Sequence, residues 1–99
     1  MTDPETEEEG EEKAGGALPA PNFVMLVSNF ATQALIELGE IKNPITKQTE
    51  RAPDRAKFTI DMLQVIRDKT RNNLTPEEQK FVDGALYELR MKYVALFKA

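Results

Sequence analysis

Apolar residues recur at three- and four-residue intervals in three stretches of this chain, each bracketed by residues that start or stop helices. In the first, Phe23, Leu26, Val27, Phe30, Ala34, Leu35 and Leu38 form a stripe, with Ser28, Asn29, Thr32, Gln33 and Glu37 on the other side. This period predicts an amphipathic helix from about Phe23 to Leu38. Asn22 is placed to cap it by accepting from a free backbone N–H, and Gly39 to close it in the left-handed conformation. Met25 and Ile36 interrupt the polar side and widen the apolar surface. In the second stretch, Ala56, Ile60, Leu63 and Ile66 make one stripe with Thr59 and Thr70 beside it, and Phe58, Met62 and Val65 make another on an adjoining face. Pro53 suits a first-turn position, so the second helix is expected from Pro53 to about Thr70. Arg67, Lys69 and Arg71 fall in or near its last turn, where cations meet exposed carbonyls favourably, and Asn72 or Asn73 can end it in the left-handed conformation.

The third helix has the clearest start. Thr75-Pro76-Glu77-Glu78 places a hydroxyl at the cap, proline at the first position and a glutamate, Glu78, three residues on, which is a capping box. From there the periodicity runs to the end of the chain. Phe81, Val82, Ala85, Leu86, Leu89, Tyr93, Leu96 and Phe97 form the main face, and Tyr87, Met91 and Val94 a different one. Gly84 costs such a helix about 1 kcal/mol against alanine, so a close backbone approach is expected there. Between the first two helices, Glu40 to Ala52 reads as a loop turned by Asn43-Pro44. It is long for a helix connection, and Ile41 and Ile45 are expected to hold it down by packing.

The fold class expected is therefore all-α: a small bundle of three main helices with a long loop between the first and second. Each helix carries more apolar surface than one packing contact needs. Contiguous apolar patches left exposed usually mark an interface. Phe58, Met62, Val65, Tyr87, Met91 and Val94 are thus the expected self-association surface of a homo-oligomer, in the simplest case a homodimer. The competing reading is that the long loop covers one stripe and the rest is ordinary surface hydrophobicity.

Composition divides the chain in two. Residues 1–21 carry seven acids, one lysine, three glycines and three prolines, and almost nothing large and apolar. Such a segment cannot bury enough surface to offset the entropy of ordering it, so a disordered acidic tail is expected, followed by a helical domain over residues 22–99. The net charge of −4 then separates into −6 for the tail (seven acids, one lysine) and +2 for the body (ten acids, twelve bases). A single core of that size leaves only roughly 3–5 kcal/mol of net stability, and natural domains commonly add disulfides, a metal or a partner. The chain has no cysteine and no histidine. That excludes disulfides and thiolate metal sites, and leaves self-association as the remaining support.

The same absences weigh against catalysis. There is no glycine-rich phosphate loop and no histidine-bearing triad, so neither an enzyme nor a cofactor or metal site is expected. Glu40, Asp61 and Asp68 read as solvated carboxylates, the last two among Lys57, Gln64 and Arg71. Arg67, Lys69, Arg71 and Arg90 are the candidate contacts for an anion or a protein partner. Arg90 is expected to reach Glu88, Asp83 or a tail glutamate, and the tail to screen Arg67 to Arg71. A body this near neutral has no strong nucleic-acid signature. A weak nucleic-acid or ribonucleoprotein accessory is accordingly the alternative to a protein-interaction module. The longest apolar run, Phe23 to Val27, is far below a membrane span. No signal-peptide pattern or lipidation cysteine is visible, so a cytoplasmic location is expected.

The chain also resembles a bacterial family known only as domain of unknown function 1844. The matching residues are Leu38-Gly39-Glu40-Ile41 with Asn43-Pro44 and Thr46, Ile60-Asp61 with Leu63, Lys69-Thr70, Asn73-Leu74-Thr75 with Glu78, Leu86-Tyr87, Leu89-Arg90 and Tyr93-Val94. The resemblance spans Phe23 to about Val94. Asn72 stands where the family usually has glycine, and asparagine is the next-best residue for a left-handed backbone. The resemblance implies a small helical cytosolic bacterial protein and no assigned activity.

Overall fold

The computed structural model describes residues 18–97. The disorder expected of the tail falls mostly on residues 1–17, outside the described residues, while residues 18–21 are exposed and non-helical. Three helices follow: α1 over Phe23–Leu38, α2 over Pro53–Lys69 and α3 over Pro76–Phe97, with no strand among the described residues. Each packs against both others.

Local chemistry sets the helix ends. Asn22 Oδ1 accepts from the Met25 amide at 2.9 Å. Gly39, at φ 85°, donates to Ile36 O, and the Glu40 amide donates to Leu35 O at 2.9 Å, so the last carbonyls of α1 are satisfied by a left-handed turn. An added Cβ on Gly39 would meet Glu50 O and Arg51 Cγ at 2.9 Å, so the loop closes onto this glycine. α2 stops one residue sooner than expected. Thr70 is its cap residue, its hydroxyl donating to Ile66 O at 2.8 Å, and Asn72 takes the left-handed position at φ 65°. At α3 the capping box is reciprocal: the Glu78 amide donates to Thr75 Oγ1 at 3.1 Å, and the Thr75 amide to Glu78 Oε1 at 2.9 Å.

The core draws three residues from each helix: Val27, Ala34 and Leu38; Ala56, Ile60 and Leu63; Val82, Leu86 and Leu89. Phe23, Phe30, Leu35, Ile66, Leu74, Tyr93, Leu96 and Phe97 pack around it half-buried. Tyr93 and Phe97 meet edge-to-face with ring centroids 5.0 Å apart. Four long-range pairs define the topology. The Ala52 amide donates to Glu37 O, placing the end of α1 at the start of α2. Arg67–Asp83 and Arg90–Gln64 run α3 antiparallel to α2, and Lys92–Glu40 brings the later half of α3 to the end of α1. The bundle is up-down-up, so the start of α1, the end of α2 and the start of α3 share one end.

Several expectations are corrected. Leu26 and Phe81, assigned to the main faces, are exposed. Ile41 and Ile45 do not pin the loop: Ile41 is exposed and Ile45 is 87% exposed. The loop satisfies its own backbone instead. Asn43 Oδ1 accepts from the Ile45 amide at 2.8 Å and the Thr46 amide at 3.4 Å, and Asn43 O accepts from Lys47 at 2.8 Å. These polar bonds do the work that apolar packing was expected to do. Gly84 has nothing within 4 Å of a built Cβ, so no backbone approaches it.

Candidate functional site

All six residues of the expected self-association surface are exposed, between 37% for Met62 and 66% for Phe58. A helix turns 100° per residue. Phe58, Met62 and Val65 therefore point away from the side of α2 that buries Ala56 and Leu63, and Tyr87, Met91 and Val94 away from the side of α3 that buries Val82 and Leu89. The structure does not merge the two triads into one patch. Between them runs a polar seam where α2 faces α3: Lys57 Nζ to Asp61 Oδ2 at 2.9 Å, Gln64 Nε2 to Asp68 Oδ1 at 2.8 Å, Arg90 Nη2 to Gln64 Oε1 at 2.6 Å, and Arg67 Nε to Asp83 Oδ1 at 2.6 Å. Tyr87, Met91 and Val94 border the clefts along this seam, whereas the α2 triad lies on the far side of its helix.

The wider cleft, about 400 Å³, is lined by Arg67, Arg71 and Arg90 with Asp68, Asp83 and Tyr87 among others, including Leu86 and Met91. Pairing of the two helices thus brings together three of the four candidate anion contacts. Lys69 is exposed and does not line the cleft. Arg67 holds Asp83 with both Nε and, at 3.4 Å, Nη2. The hydrogen bond to Asp83 keeps this guanidinium above its ordinary pKa, as the bond to Asp61 does for the Lys57 ammonium. Arg90 bonds Gln64, where Glu88, Asp83 or a tail glutamate was expected. Asp61 and Asp68 do not converge, since one is taken by Lys57 and the other by Gln64.

A buried polar cluster lies at the opposite end. Glu37, assigned to the polar side of α1, is only 7% exposed. Thr59 Oγ1 donates to its Oε1 at 2.6 Å, Gln33 Nε2 to its Oε2 at 2.8 Å, and Arg55 Nε stands 3.8 Å away. With its backbone carbonyl on Ala52, Glu37 ties α1, the loop and α2 together. The one signal in the sequence is Thr59 beside the buried stripe, a hydroxyl that needed a partner. Among the described residues no group of three or more acidic, histidine or cysteine side chains could hold a metal ion, and no helix is long and apolar enough to cross a membrane.

Fold and surface together define a small three-helix domain with two outward apolar ridges separated by an ionic seam. The family model described as Domain of unknown function (DUF1844) matches residues 20–95, and the chain belongs to that family. The match spans the three helices up to Ala95 and includes every motif on which the resemblance rested. No curated protein and no solved structure matches the chain.

Proposed function

We propose that this domain is a homo-oligomerising protein-interaction module that acts by binding rather than by catalysis, its basic assembly a dimer formed through the outer faces of α2 and α3. The observation that carries this reading is the exposure of Phe58, Met62, Val65, Tyr87, Met91 and Val94 on those two helices. Taking roughly 200 Å² for a side chain of this size when fully exposed, the six offer on the order of 600 Å² per chain, against about 800 Å² per partner in a standard interface. The polar seam residues that lie between the two triads supply the remainder. A two-fold dimer sets the same patch against itself, so every residue is used twice. Lys57, Asp61 and Arg90 present both signs of charge to a second copy, which favours one register over sliding. A further protein partner can use the same ridges as an amphipathic helix uses a groove.

Light scattering on the eluting peak of the full chain and of Phe58→Glu and Tyr87→Glu tests the reading. The expected result is a dimer for the natural chain and a monomer for either variant, with unchanged helical circular dichroism. A natural chain that elutes as a monodisperse monomer at micromolar concentration overturns it.

A further inference from the structure

We infer that the α2–α3 cleft is a carboxylate-binding site, and that its ligand is the acidic segment 3–12 of the same chain. The cleft is built for such a ligand. Arg67, Arg71 and Arg90 converge on it from two helices, with Tyr87 and Met91 as an apolar wall. Guanidinium groups present flat paired donors that match a carboxylate bidentately. Asp68 and Asp83 also line it, so three arginines against two aspartates leave it positive. Only Arg67 has an ion pair within the described residues of the cleft. Arg90 is bonded to the neutral amide of Gln64, and no described carboxylate makes an ion pair with Arg71 or Arg90.

The segment supplies the complementary charge. Seven of the ten residues from Asp3 to Glu12 are acidic. It is also attached at the right end. The start of α1 lies at the same end of the bundle as the end of α2 and the start of α3, where Arg67, Arg71 and Asp83 stand. No residue of α1 lines the cleft, so the chain must pass around that end to reach it, about two helix spacings or ~20 Å. Extended chain covers at most ~3.3–3.6 Å per residue, so Glu12 reaches roughly 20 Å from Leu18 and Glu7 to Glu9 reach beyond 30 Å. The acids from Glu12 back to Glu7 can therefore reach the arginines, Glu7, Glu8 and Glu9 with slack to spare. The basic loop residues Lys42 and Lys47 lie at the other end of α1, a further ~24 Å away.

Each exposed pair contributes little on its own. A tether that holds the ligand at roughly millimolar local concentration makes several such contacts enough to populate the docked state. Salt screens these contacts over about 10 Å at 0.1 M, so docking must weaken as salt rises.

The chain lacks cysteine, so Glu9→Cys in the full protein carries a single nitroxide label. The expected result in 20 mM salt is severalfold stronger broadening of the backbone amides of Arg67 to Arg71 and Tyr87 to Met91 than of Lys42 to Lys47. Recovery is expected at 0.5 M salt, and also on adding Arg71→Gln with Arg90→Gln, a pair of exposed substitutions that leaves the amide dispersion unchanged. Even broadening over all basic positions, no broadening at the cleft in low salt, or broadening that survives the double substitution overturns the inference. So does broadening that arises only between copies, seen when labelled chain is mixed with isotopically enriched unlabelled chain. That mixing control keeps the result independent of whether the domain dimerises.

Discussion

Removing the Thr59 hydroxyl by Thr59→Val perturbs the polar cluster at Glu37 with almost no change of volume. Glu37 loses its shortest partner, the 2.6 Å bond from Thr59 Oγ1, while remaining 7% exposed. Water cannot readily replace the donor, and Arg55 is a poor substitute at 3.8 Å with its side chain 74% exposed. A hydrogen bond to a charged group is worth about 1.5–3 kcal/mol, and leaving a buried acceptor short of a donor costs the same order. Valine and threonine have similar helix propensity, so the backbone contributes little to the difference. The expected loss is about 2 kcal/mol, roughly half of the ~3–5 kcal/mol that a single core of this size supplies. For a domain of this length that is a fall in Tm of about 8–16 °C. Adding Glu37→Met replaces both partners with apolar groups of similar size, and such a swap is often nearly neutral. The double variant should therefore be more stable than Thr59→Val alone. Urea and thermal melts followed by circular dichroism at 222 nm measure both. A Thr59→Val loss below 0.5 kcal/mol, or a double variant as weak as the sum of the singles, refutes the reasoning.

The two described helix-associated glycines should respond oppositely to the same change. Gly84→Ala meets open space in a helix interior and should stabilise by about 1 kcal/mol in denaturant melts. Gly39→Ala forces a Cβ against Glu50 O at 2.9 Å with φ at 85°, and should destabilise by at least ~1–2 kcal/mol. Neutralising Glu7, Glu8 and Glu9 to glutamine in the full chain should strengthen self-association in light scattering, because Tyr87 and Met91 belong both to the arginine cleft and to the outer ridge. The Lys57 pKa is raised in the folded state by its bond to Asp61, so that pair contributes below the ordinary lysine value of 10.5 and is lost as pH rises through the folded value. The Tm gap between the natural chain and Lys57→Met should accordingly hold from pH 6 up to the ordinary lysine value of 10.5 and close only above it; a gap that opens toward high pH contradicts the assignment.

What was legible in the chain was what nearby residues decide. Asn22, Gly39, Asn72 and the Thr75–Glu78 box act within four positions of themselves, and each stands in its expected role. The nine core residues follow from the helical period because each helix buries one stripe. Features that depend on a second element were not legible. Glu37 looks solvent-facing on its own helix, and its burial depends on Thr59, 22 residues later. Arg67 and Arg90 become neighbours only when α2 lies antiparallel to α3. The seam that separates the two apolar triads is likewise a product of that pairing. Ile45 stays exposed for a different reason: an asparagine-centred turn can satisfy a loop without burying anything.

Self-association through the outer ridges of α2 and α3 is tested most directly by sedimentation equilibrium of the full chain from micromolar to 200 µM. The expected mass is twice the 11.2 kDa of one chain, falling toward 11.2 kDa on dilution and at all concentrations for Tyr87→Glu. A mass of 11.2 kDa across the whole range for the natural chain contradicts it.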